Sequence, residues 1–121
     1  MAGAVTGPVV CFGEMLLRLA PTGARMMVQA QSLDMVVGGA EANVAAALAS
    51  LGHEARMVTL LPSSPLGDKA KAELGAAGVD TRFIARAGGR IGLYFLEPGA
   101  GLRPSSITYD RAGSAFALAS P

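Results

Sequence analysis

The chain has 121 residues, enough for one domain of ordinary size and too few for two independent ones. Hydrophobic residues make up 51% and charged residues 16%, the opposite of the balance that keeps chains disordered. Ten Lys and Arg against nine Asp and Glu give a net charge of +1, without the basic excess that nucleic acid or an anionic membrane would call for. No stretch approaches the ~18 apolar residues of a membrane span. Met1 to Gly7 lacks the basic and hydrophobic regions of a secretory signal. A soluble cytoplasmic protein that works through small ligands or other proteins is the expectation.

In chain order, Val9-Val10-Cys11-Phe12 opens an apolar run that breaks at Gly13-Glu14 and resumes over Met15 to Leu19. Such a run reads as a central strand buried on both faces. Cys11, the single cysteine, reads as a small buried hydrophobe in a reducing compartment. With His53 as the only histidine, neither an activated thiol nor a metal-ligand cluster can be assembled from it. Pro21-Thr22-Gly23 is a turn, and Leu33 to Val37 a second short strand. Ala40 to Leu51 is strongly helix-forming, with Val44, Leu48 and Leu51 on one stripe and Gly52 at the C′ position.

Arg56 to Leu61 is the next strand, closed by Pro62. A second helix is expected from Leu66 to Ala77, with Leu66, Ala70, Leu74 and Ala77 on one face. After Gly78, the segment Val79 to Ile84 returns as extended chain. Strand, helix, strand, helix, strand is the order of an α/β fold with parallel pairing. The last third differs. Arg90 to Phe95 and Ile107 to Tyr109 read as strands around a Glu97 to Gly101 turn, a hairpin of the kind that covers sites.

No phosphate-binding loop of the G-x-x-x-x-G-K-[ST] type is present, and no G-x-G-x-x-G follows the first strand. The most informative segment is Gly38 to Asn43. Two glycines ahead of a helix let backbone approach a ligand, and the helix N-terminus favours hydroxyl or carboxylate oxygens. Asn43 offers a donor and an acceptor that suit a sugar hydroxyl. The plainer alternative is a strand-to-helix turn with Glu41 serving the helix dipole. Glu14 is either a strand end or a carboxylate engaged with a ligand. Tyr94, Tyr109 and Arg111 form either an ordinary exposed sheet face or a cover and carboxylate clamp. His53 reads as a polar residue at a helix C-terminus.

Taken in series, Cys11 to Glu14, Val37 to Ala45, Ala47 to Gly52, Pro65 to Asp68, Gly78 to Thr81, Gly92 to Phe95 and Tyr109 to Ala115 are not generic. From about Val9 to Pro121 the chain resembles the N-terminal part of the ribokinase-like, PfkB-type carbohydrate kinases, and within them the 2-keto-3-deoxygluconate kinase branch. The resemblance implies a central, mainly parallel sheet with flanking helices and a small β lid, the lid strands lying at about 14–37 and 90–111. It implies ATP-dependent phosphorylation of 2-keto-3-deoxygluconate to its 6-phosphate, with Mg²⁺ as the accompanying ion. Gly38, Gly39 and the turn through Ala40, Glu41 and Ala42 would lie along the substrate. Asn43 would bond its hydroxyls, Tyr94 would cover it, and Tyr109, Asp110 and Arg111 would hold its carboxylate end, with Glu14 in the same pocket.

Members of that family are more than twice as long, and their later part carries a Gly-Ala-Gly-Asp motif whose Asp is the catalytic base. Here Gly99-Ala100-Gly101 is followed by Leu102. The expectation is an acceptor-binding portion that by itself holds no nucleotide or metal and is inactive, prone to self-association, with a lid-mediated homodimer as the partner in intact relatives. A kinase for fructose, ribose or a nucleoside is the first alternative. A non-catalytic module that binds sugar acids is the second.

Overall fold

The computed structural model describes residues 7–119. The first six residues, on which most of the targeting-signal reading falls, lie outside them, as do the last two. In chain order the elements are β1 (Val9–Phe12), β2 (Leu16–Ala20), a short 3-10 turn (Met27–Gln29), β3 (Asp34–Gly38), α1 (Ala40–Ser50), β4 (Ala55–Pro62), α2 (Pro65–Ala76), β5 (Ile84–Ala87), β6 (Gly92–Glu97) and β7 (Ser106–Asp110). They form two sheets. One is parallel, in the order β1-β4-β5; the other is mixed, in the order β3-β2-β6-β7. The α/β reading holds, and the late hairpin is the antiparallel β6-β7 pair.

The long apolar run near the start is not one strand. Gly13-Glu14 turns the chain from one sheet into the other, so β1 and β2 belong to different layers. Nor is β1 buried on both faces. Cys11 is buried, but Val10 and Phe12 are 57% and 67% exposed. The cause is position: β1 is an edge strand, and both crossover helices lie on one face of its sheet. On that face Ala55, Met57, Thr59 and Leu61 of β4 are buried, with Ala42 and Ala45 of α1 and Ala70 and Leu74 of α2 in the same core.

The expected apolar stripe of α1 is also corrected. Val44 and Leu51 are exposed, whereas Ala42 and Ala45 face the core and Leu48 is half-buried. Alanine at the contact lets the helix approach the strands closely, so small residues rather than the largest ones mark its inner face. In α2 the buried positions are Gly67, Ala70 and Leu74, while Leu66 and Ala77 are exposed. Ser64 caps α2, its Oγ accepting from the Gly67 amide at 3.4 Å, and Pro65 sits at the first helical position. Beyond Gly78 the chain makes a single bridge from Asp80 to Arg56 and turns before β5 begins at Ile84, later than the expected extended segment.

Candidate functional site

Gly13 to Met15, where the chain crosses between the sheets, forms the floor of the site. Glu14 is half-buried there, and its Oε2 accepts a 2.6 Å hydrogen bond from the hydroxyl of Ser114, which is 1% exposed. Gly39, with φ +121°, opens α1, and a side chain at this position would meet the Glu14 carbonyl oxygen at 2.6 Å. Only glycine combines that backbone geometry with such a close approach. The first intrahelical bond runs from the Asn43 amide to the Gly39 carbonyl at 2.9 Å. The amides of Ala40, Glu41 and Ala42 therefore start the helix without an acceptor inside it.

The opposite wall is the mixed sheet. In the β2-β6 and β6-β7 registers Arg18 lies beside Tyr94, and Tyr94 beside Tyr109. The two tyrosine rings are 5.8 Å apart at 39°. Two residues beyond Tyr109, on the same face, Arg111 lies with its guanidinium carbon 5.1 Å from the centre of the Tyr109 ring. Among the described residues Arg111 has no ion-pair partner. A guanidinium stacked on an aromatic ring keeps its donors free for an anion in the plane of the fork.

These walls enclose an open cleft of about 1090 Å³. Of the residues singled out in the sequence, Glu14, Gly39, Ala40, Glu41, Asn43, Tyr94, Tyr109 and Arg111 line it. Three do not. Gly38 is buried behind the wall, where a side chain would strike the Tyr94 hydroxyl at 2.8 Å. Ala42 points into the core. Asp110, pointing away from the cleft by strand alternation, pairs with Arg90 at 2.9 Å. Phe12, Leu16, Ile107 and Phe116 add an apolar lining that the sequence reading missed. Phe12 and Phe116 pack with ring centres 5.7 Å apart and planes tilted by 48°, a contact between distant segments that no local pattern signals. Ser114 lay within a segment already singled out; a serine among small residues after a glycine turn gives no sign of its carboxylate partner 100 residues away.

The cleft can therefore hold a polar molecule of modest size. Free helix amides and two carboxylates suit hydroxyl groups at one end; tyrosines and an unpaired guanidinium suit an anionic end at the other. The cleft lies at the carboxyl end of β1, the edge where a doubly wound sheet places its ligands. Among the described residues no group of three or more His, Cys, Asp and Glu side chains converges as a metal site. No described helix is long and apolar enough to cross a membrane.

Fold and site together define an α/β small-ligand domain with a β lid. Residues 7–120 match the pfkB family carbohydrate kinases. A 2-dehydro-3-deoxygalactonokinase of Haloferax volcanii is 38% identical over 117 residues, covering 97% of this chain and 37% of the relative. The crystal structure of a 2-dehydro-3-deoxygluconokinase from Thermotoga maritima is similar at 54% identity with a TM-score of 0.91, over 93% of this chain and 35% of that one. A fructokinase from Xylella fastidiosa, solved with bound ATP, is 31% identical with a TM-score of 0.76, over 92% of this chain and 32% of that one. The chain belongs to the pfkB family of carbohydrate kinases. It spans about a third of the length of these relatives.

Proposed function

We propose that this chain is the acceptor-binding part of a cytoplasmic kinase that phosphorylates 2-dehydro-3-deoxygluconate on its terminal hydroxyl, with ATP and Mg²⁺ as the phosphoryl-donor system. One observation carries the choice of acceptor: Arg111, stacked on Tyr109 and without a carboxylate partner among the described residues, lines the same cleft as Asn43 and the start of α1. A sugar acid needs a cation that a neutral hexose does not. The names of the Thermotoga and Haloferax relatives support an acid of this class. The galactonate-derived acid, which differs in one stereocentre, is the second reading, favoured by the Haloferax relative. Bound ATP would supply the phosphoryl group; the residues described here would bind and orient the acceptor. A homodimer formed through the lid sheet is part of the proposal, supported by exposed Val36 and Ile107 on strands β3 and β7 at its two edges.

The test is a comparison of acceptors in the intact enzyme. Arg111→Ala should weaken use of both keto-deoxy acids about 10- to 100-fold, the loss of one charge-assisted contact, while leaving any activity on fructose unchanged. An equal loss on acid and neutral sugars would overturn the carboxylate assignment. The 121-residue chain alone should transfer no phosphoryl group to either acid.

A further inference from the structure

Strand β7 ends at Asp110, which with Leu93 forms the last registered pair of the β6-β7 ladder. Arg111 lies one residue beyond it, after an edge strand whose five residues are all exposed. Strand ends of this kind fray, because little burial and no ladder bond hold them. Yet the Arg111 guanidinium has to keep its place over Tyr109 to meet a carboxylate in the cleft. Its own side chain is no anchor, since it enters no ion pair among the described residues.

The anchor is Arg90, just ahead of β6. Its Nη1 donates to the Asp110 carbonyl at 3.2 Å, while Nη2 donates to the Ala112 carbonyl and lies 2.9 Å from the Asp110 carboxylate. Between those two carbonyls, the Arg111 carbonyl accepts from the Ser114 amide at 3.2 Å. The Ala115 amide in turn donates to the Arg90 carbonyl at 2.8 Å. Every backbone carbonyl from Asp110 to Ala112 is therefore held, the outer two by one guanidinium. A planar fork with donors on both terminal nitrogens can span the carbonyls on either side of a residue; an ammonium is a point charge without that geometry. Asp110 points away from the cleft and Arg90 is absent from its lining, so Arg90 does not itself meet the ligand.

We propose that Arg90 is a positioning residue for Arg111: its guanidinium brackets the Arg111 backbone from the sheet face away from the cleft and fixes where the carboxylate-binding side chain stands. This rests on the acceptor reading above for the role of Arg111. Asp110 then acts through Arg90, as the anion that orients the fork. An exposed ion pair contributes little by itself. Here it completes a clamp on three groups, and the clamp acts on the geometry of the site.

The test uses the intact enzyme with Arg90→Ala, Arg90→Lys, Arg111→Ala and the Arg90→Ala, Arg111→Ala pair. Arg90→Ala should raise KM for the keto-deoxy acids about 3- to 30-fold, more than it lowers kcat, and leave KM for ATP unmoved. Arg90→Lys keeps the charge but loses the fork, and should behave like Arg90→Ala. Once residue 111 is alanine, adding Arg90→Ala should change acceptor KM by less than about twofold, because no guanidinium is left to position. Hydrogen exchange in the 110–115 segment, read by mass spectrometry, should speed up in both Arg90 variants and stay unchanged in Arg111→Ala. Additive losses in the cycle, an equal rise in KM for ATP, unchanged exchange in Arg90→Ala, or a native KM in Arg90→Lys would each overturn the proposal. If Arg111→Ala spares the acids while exchange still rises in the Arg90 variants, the clamp stands and the acceptor reading falls.

Discussion

At the scale of single residues, the bond from Ser114 to Glu14 joins the turn after β7 to the crossing between the sheets, and so fixes the end of the strand that carries Tyr109 and the Arg111 that follows it. The Ser114 hydroxyl is buried and also accepts from the Ala117 amide at 3.1 Å. Ser114→Ala leaves both partners without a replacement, at an expected cost of about 1–3 kcal/mol. In urea unfolding, a double-mutant cycle with Glu14→Gln should show coupling of about 0.5–3 kcal/mol, and additive losses would show that the contact carries little. Asp80 makes a different prediction. Arg82 donates to it from its side chain and backbone amide, and Arg56 lies nearby, which together hold the carboxyl down to about 2. A depressed carboxyl contributes stability that is complete above the unfolded value of ~3.9 and is lost as pH falls through about 2. An NMR titration should place Asp80 near 2 and move it upward in Arg82→Ala, partway only, because the backbone bond remains.

Whole elements show what local sequence could and could not reveal. Helix α2 was legible from the spacing of Ala70 and Leu74, a local signal. The inner face of α1 was not, because four-residue spacing of Val44 and Leu48 resembles a buried stripe, and what decided the face was the strand against which Ala42 and Ala45 pack. The cleft was legible where backbone chemistry is specific, at Gly39 and Asn43. It was not legible where distant segments meet, as at Phe12 and Phe116 or Glu14 and Ser114. Two glycines in α2 make the distinction testable. A side chain at Gly67 would run into the Pro62 carbonyl oxygen, so Gly67→Ala should cost about 1–3 kcal/mol or more by overpacking. At Gly75 the nearest atoms are 3.9 Å away on Thr81, and Gly75→Ala should stabilise by about 0.5–1 kcal/mol through helix propensity. Thermal unfolding of the pair should shift in opposite directions; a shared direction would place the close contact elsewhere.

For the molecule as a whole, association depends on two different surfaces. In the proposed homodimer the lid sheet pairs with a second copy about a two-fold axis, which closes after two chains. The free edge of β1 and the face of its sheet away from α1 and α2 are different, since no one symmetric contact satisfies both, and open-ended association is the expected outcome for the chain alone. Val10, 57% exposed at the middle of that edge and away from the cleft lining, is the position where a charge acts on association with least effect on the core. Lysine at an edge is a common natural block to strand pairing. In sedimentation velocity across a concentration series, the unmodified 12.2 kDa chain should grow beyond two copies as concentration rises. Val10→Lys should stop that growth at the dimer without lowering the unfolding temperature appreciably. Growth that persists unchanged in the variant would move the sticky surface to the lid, and a chain that never exceeds two copies would mean that the bare face is too small to drive association by itself.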